Sequence, residues 1–409
     1  MAMDLILKNA MAADVGATPV DIGISDGRIA AIEPGLAAEG EIIDVKGGLV
    51  SPGLVETHIH LDKSRILDRC SPAPDRGTDH MDRVAAVKPD FTVEDIYERA
   101  RATLEQCLLH GTSHMRTHVE LDPNVGLQGF KALRQLAEDY RWAIDLELCV
   151  FIQEGWTNSP VADANIVEAL KQGAPVVGGA PGYDPDRAGQ IRRIFELARE
   201  FDVDVDIHLD VGTAAEDMDI HLVCDLTDEM GWGGRVAIGH GAKYAFMPPD
   251  ELRDLGKRLG DSGVAVTVLP ATDLFVVGRD RTHGVTRGVA DANALIDSGA
   301  NCSLSTNNIL NPFTPFGDCS LTRIANLYAN IIQRGGREEL TQCFEMLSSR
   351  SAKLMRRADY GVAVGNPADL VVWNAPSPAD AVATVAHPLY GFKRGRRTFT
   401  RTEPELHRP

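Results

Sequence analysis

The chain has 409 residues, more than one ordinary domain needs, which suits a large domain joined to a smaller one. Hydrophobic residues make up 44% of the sequence and charged residues 24%, the composition of an ordinary soluble protein. The formal net charge is −18, so repulsion between like charges argues against nucleic acid as a partner.

The first 50 residues contain short alternating apolar runs broken by glycine, a pattern that predicts β-strands. The runs are Leu5–Leu7, Asp21–Ile24, Arg28–Ile32 and Glu41–Val45. No long apolar segment follows the charged residues near the N-terminus. We therefore expect no signal peptide and no membrane-spanning segment.

The middle of the chain alternates eight short apolar runs with amphipathic stretches. Strands are expected at Leu49–Asp62, Thr112–Leu121, Ile144–Gln153, Pro175–Gly182, Val203–Asp210, Gly234–Gly241, Val264–Pro270 and Asn301–Asn308. Helices are expected at Val93–His110, Leu127–Tyr140, Asp186–Phe201, Thr213–Met230 and Pro249–Leu259. This alternation predicts an α/β fold with a parallel sheet, and the number of strands predicts closure into a (β/α)8 TIM barrel.

The C-terminal end shows the same short alternating runs as the N-terminal end, most clearly at Asp369–Trp373. Neither end is long enough to bury a core of its own. We therefore expect residues 1–50 and 363–409 to pair into a composite β-sandwich domain. Residues 51–362 would then form the barrel domain inserted between them.

The strongest local motif is His58-Ile59-His60 in the segment Pro52–Lys63. Side chains at positions i and i+2 of a strand point the same way, so His58 and His60 project together. They lie at the carboxyl end of the first barrel strand, where catalytic groups gather in this fold. Such a pair can share one zinc or iron ion, although an isolated His-x-His also occurs in strands without a metal.

Two further histidines end predicted strands: His208 ends the fifth and His240 the sixth. Four histidines at one face of a barrel are hard to explain by packing alone, because buried polar groups need partners. The pattern therefore predicts a site for one divalent transition metal ion, zinc or iron.

With these motifs the chain resembles the amidohydrolase superfamily, and within it the cytosine deaminase-like branch, which includes hydrolases of the N-isopropylammelide type. The segment Pro52–His60 matches the first-strand signature of the superfamily. Blocks typical of the branch follow at Arg116–Val119, Val150–Gly155, Val176–Pro181 and Asn311–Gly317. The resemblance covers nearly the whole chain.

The resemblance implies a role for each matching position. The implied metal ligands are His58, His60 and His208, and His240 would orient the attacking water or the substrate. Gln153 matches a residue that hydrogen-bonds the substrate ring, and Lys63 matches a lysine near the metal. The family also implies a composite β-sandwich at the chain ends and a homo-oligomer.

Three positions depart from the family pattern. Asn307 stands where the family has an Asp that binds metal and accepts a proton; its amide oxygen can still ligate weakly, but it cannot act as a base. Asn308 stands where cytosine deaminases place a second Asp on the substrate, and Val211 where they place a proton-shuttling Glu. We therefore expect His240 to serve as the base, and Lys63 as an electrophile or acid.

Several weaker signals leave alternatives open. Asp273 and the loop Gly278–His283 follow the seventh strand and either contact substrate or form an ordinary polar loop. His118 is expected to pack in the core or to support the site by hydrogen bonding. Four aromatic residues lie in strand-end loops and either form an aromatic wall for a flat ring or pack elsewhere. They are Phe151, Trp156, Phe275 and Phe313. Of these, Phe313 is our candidate substrate contact, together with Gln153 and Asn308. The basic run Lys393–Arg397 is expected to be a solvated turn.

The leading hypothesis is hydrolysis of a C–N bond in a small cyclic amidine, amide or amino-substituted heterocycle, with deamination as the usual outcome in this branch. The alternatives are cleavage of an amide ring or N-alkyl group without deaminase activity, and an inactive ligand-binding homologue, suggested by Asn307 and Val211. The seven cysteines are scattered, odd in number and without a Cys-x-x-Cys pair, so we expect a reducing, cytoplasmic location. The expected partner is a small heterocyclic molecule, with neither nucleic acid nor membrane involved.

Overall fold

The computed structural model describes residues 2–13, 16, 18–73, 80–402 and 404–407. Its strands are β1 (Ala2–Ala12), β2 (Val20–Ser25), β3 (Arg28–Glu33), β4 (Glu39–Asp44), β5 (Leu49–Pro52), β6 (Leu54–Ile59), β7 (Thr112–Glu120), β8 (Asp145–Phe151), β9 (Val176–Val177), β10 (Asp204–Leu209), β11 (Val236–His240), β12 (Val264–Val268), β13 (Asn301–Leu304), β14 (Leu370–Trp373), β15 (Pro388–Lys393) and β16 (Arg396–Thr400). Its helices are α1 (His80–Ala85), α2 (Val93–Leu109), α3 (Gln128–Tyr140), α4 (Pro160–Lys171), α5 (Arg187–Phe201), α6 (Ile220–Met230), α7 (Pro249–Ser262), α8 (Pro270–Val276), α9 (Ala292–Asp297), α10 (Leu321–Ile332), α11 (Arg337–Glu345), α12 (Ser349–Leu354) and α13 (Pro378–Ala383).

The central sheet consists of β6 to β13, each strand pairing in parallel with the next along the chain. It closes on itself through the segment after β13: Asn307 N donates to His58 O, and His60 N donates to Asn307 O, both at 2.9 Å. Helices follow most of the strands and pack outside them, burying a continuous apolar core. The predicted (β/α)8 barrel is confirmed.

The first predicted strand, Leu49–Asp62, is wrong as a single element. The chain breaks at Gly53, where a Cβ atom would overlap the Ser113 side chain, and the Gly53 N–H donates to Asp369 O at 2.9 Å. The part before the break, β5, joins the sheet formed by the chain ends, and only β6 enters the barrel. The glycine therefore separates the two sheets.

Helix α6 begins at Ile220 rather than at the predicted Thr213. The Asp210 carboxylate accepts hydrogen bonds from Asp219 N at 2.8 Å and Ile220 N at 3.3 Å. These N–H groups at a helix start have no partner within the helix, so the carboxylate determines where α6 begins. Residues 211–219 are left as a loop above the barrel.

The strands of the two chain ends form one sheet in the order β16-β15-β14-β5-β1-β2-β3, with β4 also on β1. Strand β1 is long enough to serve two parts of this sheet, because its register shifts between Leu7 and Ala10. Strand β1 pairs with β2 on both sides of the shift, with β4 before it and with β5 after it. We propose a domain division at Gly53 instead of between residues 50 and 51, since β5 belongs to this sheet.

The basic run Lys393–Arg397 is only partly a solvated turn. It does form the turn between β15 and β16, but Lys393 is buried against the bottom of the barrel. Its Nζ lies 2.7 Å from an Asp369 oxygen and 3.0 Å from an Asp145 oxygen, so it ties the outer sheet to β8.

No helix in the described ranges is long and apolar enough to cross a membrane.

Candidate active site

A pocket opens at the carboxyl ends of the barrel strands, and it contains eight of the nine side chains singled out from the sequence. Its lining residues are His60, Lys63, His80, Gln153, Tyr183, His208, Val211, His240, Thr272, Val276, Asn307, Asn308 and Phe313. The ninth, His58, lies directly beneath, with its Nε2 atom 3.1 Å from His208 Nε2. The strand-end residues expected from the sequence therefore meet in one place.

The histidines of β6 and β10 form a buried cluster. The Nε2 atoms of His58 and His60 each lie 3.1 Å from His208 Nε2. Burial, together with the neighbouring positively charged or titrating side chains, holds the pKa values of all three imidazoles well below the usual 6.5. Neutral imidazoles offer a nitrogen lone pair, which is the form that binds a metal.

The donor set fits a transition metal ion. His208 Nδ1 lies 3.2 Å from Gly179 O and so carries the proton, which leaves the Nε2 lone pair facing His58 and His60. Ligand nitrogens of a tetrahedral zinc with bonds of ~2.0–2.1 Å would be about 3.3 Å apart, close to the 3.1 Å that separates His208 Nε2 from His58 Nε2 and from His60 Nε2. His240 also brings a ring nitrogen within 4.8 Å of those of His58 and His208. The Nδ1 atoms of His58 and His60 are buried without a described partner, so hydrogen bonding alone does not account for the cluster.

His240 is held by an acidic side chain. Its Nδ1 atom lies 2.6 Å from Asp273 Oδ1, and Asp273 on α8 is completely buried. Asp273 therefore contacts His240 and is not among the residues that line the pocket. The backbone of His240 has φ 79°, a strained conformation for a residue other than glycine. The loop Gly278–His283 does not line the pocket.

Below the cluster lies a second layer of polar groups. His118 stacks under His58 with ring centroids 3.8 Å apart, and His118 Nε2 is 3.4 Å from Asp206 Oδ1. Asp206 also accepts a hydrogen bond from Arg116 Nη1 at 2.8 Å. Burial alone would raise the pKa of Asp206, but His118 and Arg116 keep it below the usual value. His118 thus supports the histidine cluster from below, and the Asp206 carboxylate is already engaged by His118 and Arg116.

The position expected to hold a proton-shuttling carboxylate is apolar in the structure as well. Val211 lines the pocket, and its neighbour Asp210 turns away to bind the start of α6 and the hydroxyl of Tyr244, at 3.1 Å. No aspartate or glutamate occurs among the described residues that line the pocket. The missing carboxylates are therefore not replaced from neighbouring positions on β10.

Lys63 belongs to a buried charge network that sequence reasoning did not find. Its Nζ atom lies 2.5 Å from Glu120 Oε1 and 4.7 Å from the centre of the Phe313 ring. Lys88 binds the other oxygen of Glu120 at 2.7 Å and also binds Asp122. Burial opposes ionisation of Glu120, but the two lysines lower its pKa to about 2. Lys63, Lys88 and Glu120 lie far apart in the chain, so no local sequence pattern predicts this network.

The side wall of the pocket comes from the loop after β8. Gln153 N donates to Asp122 Oδ1 at 3.0 Å, which holds the Gln153 side chain at the pocket. Phe313 lines the pocket, and Phe151 stacks on His208 with centroids 4.7 Å apart. Trp156 is buried elsewhere, with Nε1 on Asp163, so the predicted aromatic wall is only partly present.

The Amidohydrolase family model matches residues 130–399. The chain is 30% identical over 407 residues to N-isopropylammelide isopropyl amidohydrolase of Pseudomonas sp. (strain ADP), covering 96% of each protein. It is 25% identical over 371 residues to a pterin deaminase of Rhizobium rhizogenes, covering 88% of this chain and 83% of that protein. The crystal structure of 5-methylcytosine deaminase from Klebsiella pneumoniae with phosphonocytosine superposes with a TM-score of 0.92 at 27% identity, covering 99% of this chain and 100% of that one.

Proposed function

The chain belongs to the amidohydrolase family and is a hydrolase of non-peptide C–N bonds, and on that premise we propose that it removes an amine from a ring carbon of a small nitrogen heterocycle. The names of the similar proteins refer to deamination of pterin and 5-methylcytosine and to hydrolysis of N-isopropylammelide. The product amine is ammonia or a small alkylamine. Family membership and the intact histidine cluster argue against an inactive ligand-binding homologue.

One observation carries this proposal: three neutral, buried imidazole nitrogens converge at the open end of the barrel. Buried imidazole lone pairs need a partner, and a cation shared by the rings would supply one. We propose that His58, His60 and His208 hold one divalent ion, zinc or iron. When bound, this ion would lower the pKa of a coordinated water towards ~7 and polarise the ring carbon under attack.

His240 is the proposed general base. Because its Nδ1–H is donated to Asp273, the neutral ring keeps a lone pair on Nε2. That nitrogen takes a proton from the attacking water as the C–O bond forms. The same proton then goes to the departing amine nitrogen as the C–N bond breaks, so atoms and charge balance over the reaction.

The other pocket residues bind and orient the ring. Gln153 carries both a donor and an acceptor, so its amide is suited to read an edge of the heterocycle. Phe313 is placed to cover a face of the ring, and Asn308 and Lys63 to hydrogen-bond its polar substituents, since all three line the pocket. Held in this way, the ring carbon lies within reach of the attacking water, which converts an encounter into a unimolecular step.

We further propose that the protein works in the cytoplasm and as a homo-oligomer. All seven cysteines are unpaired and buried, which suits a reducing compartment. The oligomer rests on the family resemblance, and light scattering of the purified protein tests it.

The proposed function is tested by metal analysis followed by a screen for released ammonia and alkylamines. Amino-substituted pyrimidines, triazines and pteridines are the substrate panel. Purified protein should hold about one zinc or iron ion per chain, and His58→Ala or His60→Ala should remove the ion and the activity. His221→Ala is the matched control, because His221 is exposed on α6. Protein that takes up no metal when metal is supplied, or that releases no amine from the whole panel, contradicts the proposal.

A further inference from the structure

The orientation of Asn307 follows from a chain of three asparagine side chains. Asn311 Oδ1 accepts hydrogen bonds from the backbone N–H groups of Phe313 at 3.0 Å and Thr314 at 3.2 Å. A backbone N–H can only donate, so this end of the Asn311 amide must be its oxygen. The NH2 end of Asn311 therefore donates to Asn308 Oδ1, at 2.7 Å.

The same logic passes along the chain of amides. Because Asn308 Oδ1 accepts from Asn311, the NH2 group of Asn308 faces Asn307 and donates to Asn307 Oδ1 at 2.9 Å. The Asn307 oxygen is thereby occupied, and its NH2 group is turned the other way. That Nδ2 atom is buried and has no partner among the described residues, although Asn307 lines the pocket. Asn307 thus presents a hydrogen-bond donor to the pocket and not the oxygen that a metal would need.

Lys63 offers further donors at the same pocket. Its ammonium group carries three N–H donors, but in the described part of the chain Glu120 is the acceptor recorded for it. Glu120 is also bound by Lys88, so its charge is shared between two lysines. The Lys63 side chain is only 2% exposed and lines the pocket, so its remaining donors are available to a ligand bound there.

The charge of the pocket lining is therefore one-sided. The thirteen described lining residues include Lys63 but no aspartate or glutamate. The family's Asp at position 307 would have added a negative charge, and Asn307 adds a donor instead. A buried anion is stable only where cations and donors surround it, and a ring that must be protonated needs a carboxylate nearby. The lining therefore suits an anionic ligand and not a ring that must be protonated.

We propose that this pocket selects oxo-substituted nitrogen heterocycles with an acidic ring N–H and binds them as the ring anion, with Lys63 Nζ and Asn307 Nδ2 as the donors that hold the charge. The inference rests on the proposed function for the position of the ring, and it adds the ionisation state of the substrate. It also removes Asn307 from the metal ligands expected from the sequence.

Calorimetric titration with two inhibitors of similar shape tests the proposal on metal-loaded protein at neutral pH. 5-Nitrouracil is largely ionised there and uracil is neutral, while both present the same two carbonyl groups; thymine controls for the extra bulk. Wild-type protein should bind 5-nitrouracil at least about 10-fold more tightly than uracil or thymine, since a hydrogen bond to a charged group outweighs a neutral one. The preference should fade as the pH falls through the ionisation of 5-nitrouracil itself.

Two variants test whether Asn307 and Lys63 cause the preference for the anion. Asn307→Asp replaces the donor by a negative charge and should weaken 5-nitrouracil binding about 10-fold to 100-fold while leaving uracil within about 2-fold. Lys63→Met should also abolish the preference, and it serves if Asn307→Asp does not fold. Asn330→Asp is the matched control, because Asn330 is exposed on α10, and it should change nothing.

Metal content is measured on every sample, as a readout separate from activity. Equal or tighter binding of uracil by wild-type protein overturns the proposal, as does an unchanged preference in Asn307→Asp. Selective binding of the anion by protein that hydrolyses none of the panel would instead overturn the proposed function and leave this inference standing.

Discussion

The imidazole of His240 and the carboxylate of Asp273 are joined by a 2.6 Å hydrogen bond in a buried setting, 33 residues apart in the chain. The bond selects the tautomer of His240, because a carboxylate at Nδ1 requires the proton on that nitrogen. It also fixes the ring at the end of β11, where the backbone is already constrained. The pair therefore has the geometry of a base with a positioning partner.

Removing the base should cost more than removing the amide of Asn307. We expect His240→Asn to lower kcat by ~10²-fold or more, and at least as much as Asn307→Ala, because a general base contributes on that scale. Metal content should stay unchanged in both variants. Near-full activity of His240→Asn beside an inactive Asn307→Ala would show that the base is assigned to the wrong residue.

Asp273→Asn should reduce kcat without changing KM much, since the amide can hold the ring but favours the wrong tautomer. Asp273→Glu keeps the charge and is expected to recover part of the loss. Steady-state kinetics of both variants, with circular dichroism to check folding, make the comparison. If Asp273→Asn and Asp273→Glu lose activity equally, the role of Asp273 is structural packing and not selection of the tautomer.

Gln153 should matter for the substrate and not for the metal. Its backbone is fixed by Asp122, and its amide faces the pocket. We expect Gln153→Ala to lower kcat/KM by about 10-fold to 100-fold through the loss of its hydrogen bonds to the ring, with metal content unchanged. The exposed Gln172→Ala is a control for a general effect of losing a glutamine. An unchanged kcat/KM would remove Gln153 from the site.

Cytosine should be a poor substrate. Val211 supplies no proton to the ring, the nearest carboxylates are occupied, and Asn308 replaces an acidic contact. We expect kcat/KM for cytosine to fall below the ~10⁴ M⁻¹s⁻¹ typical of efficient enzymes. Val211→Glu should raise it if the missing proton shuttle is the cause. Efficient turnover by the wild-type protein would mean that these departures from the family have no chemical consequence.

Acid should destabilise the junction between the barrel and the outer sheet. Burial, reinforced by Lys393, lowers the pKa of His114 from 6.5 to about 3. The unfolded chain therefore binds a proton at His114 that the folded chain does not, and the stability associated with the neutral ring is full above pH 6.5 and is lost as the pH falls towards 3. Melting curves of His114→Asn and wild-type protein should converge as the pH drops. A difference in Tm that does not change with pH contradicts this account.

Much of the architecture was predictable from the sequence because it rests on local periodicity. Eight apolar runs alternating with amphipathic stretches leave few arrangements other than a closed parallel sheet. The histidines at strand ends were predictable for the same reason, since parallel strands bring all their carboxyl ends to one face. Two of the errors trace to single residues: Gly53 divides the first strand, and the Asp210 carboxylate delays the start of α6. Helix α4 was not predicted, and the strand expected at Pro175–Gly182 spans only Val176–Val177.

The sequence by itself determined which residues stand at the carboxyl ends of the strands, and the family resemblance predicted that three residues near those ends stand where carboxylates are expected. Only the tertiary structure decided what those replacements do. The partnership of His240 with Asp273, the occupation of Asp206 by Arg116 and the sharing of Glu120 between Lys63 and Lys88 all join residues far apart in the chain. The direction of the Asn307 amide is set in the same way, by hydrogen bonds relayed from backbone N–H groups through two other side chains. Such contacts depend on packing between distant segments and on the strong tendency of buried donors to find acceptors, neither of which a periodic pattern along the chain contains.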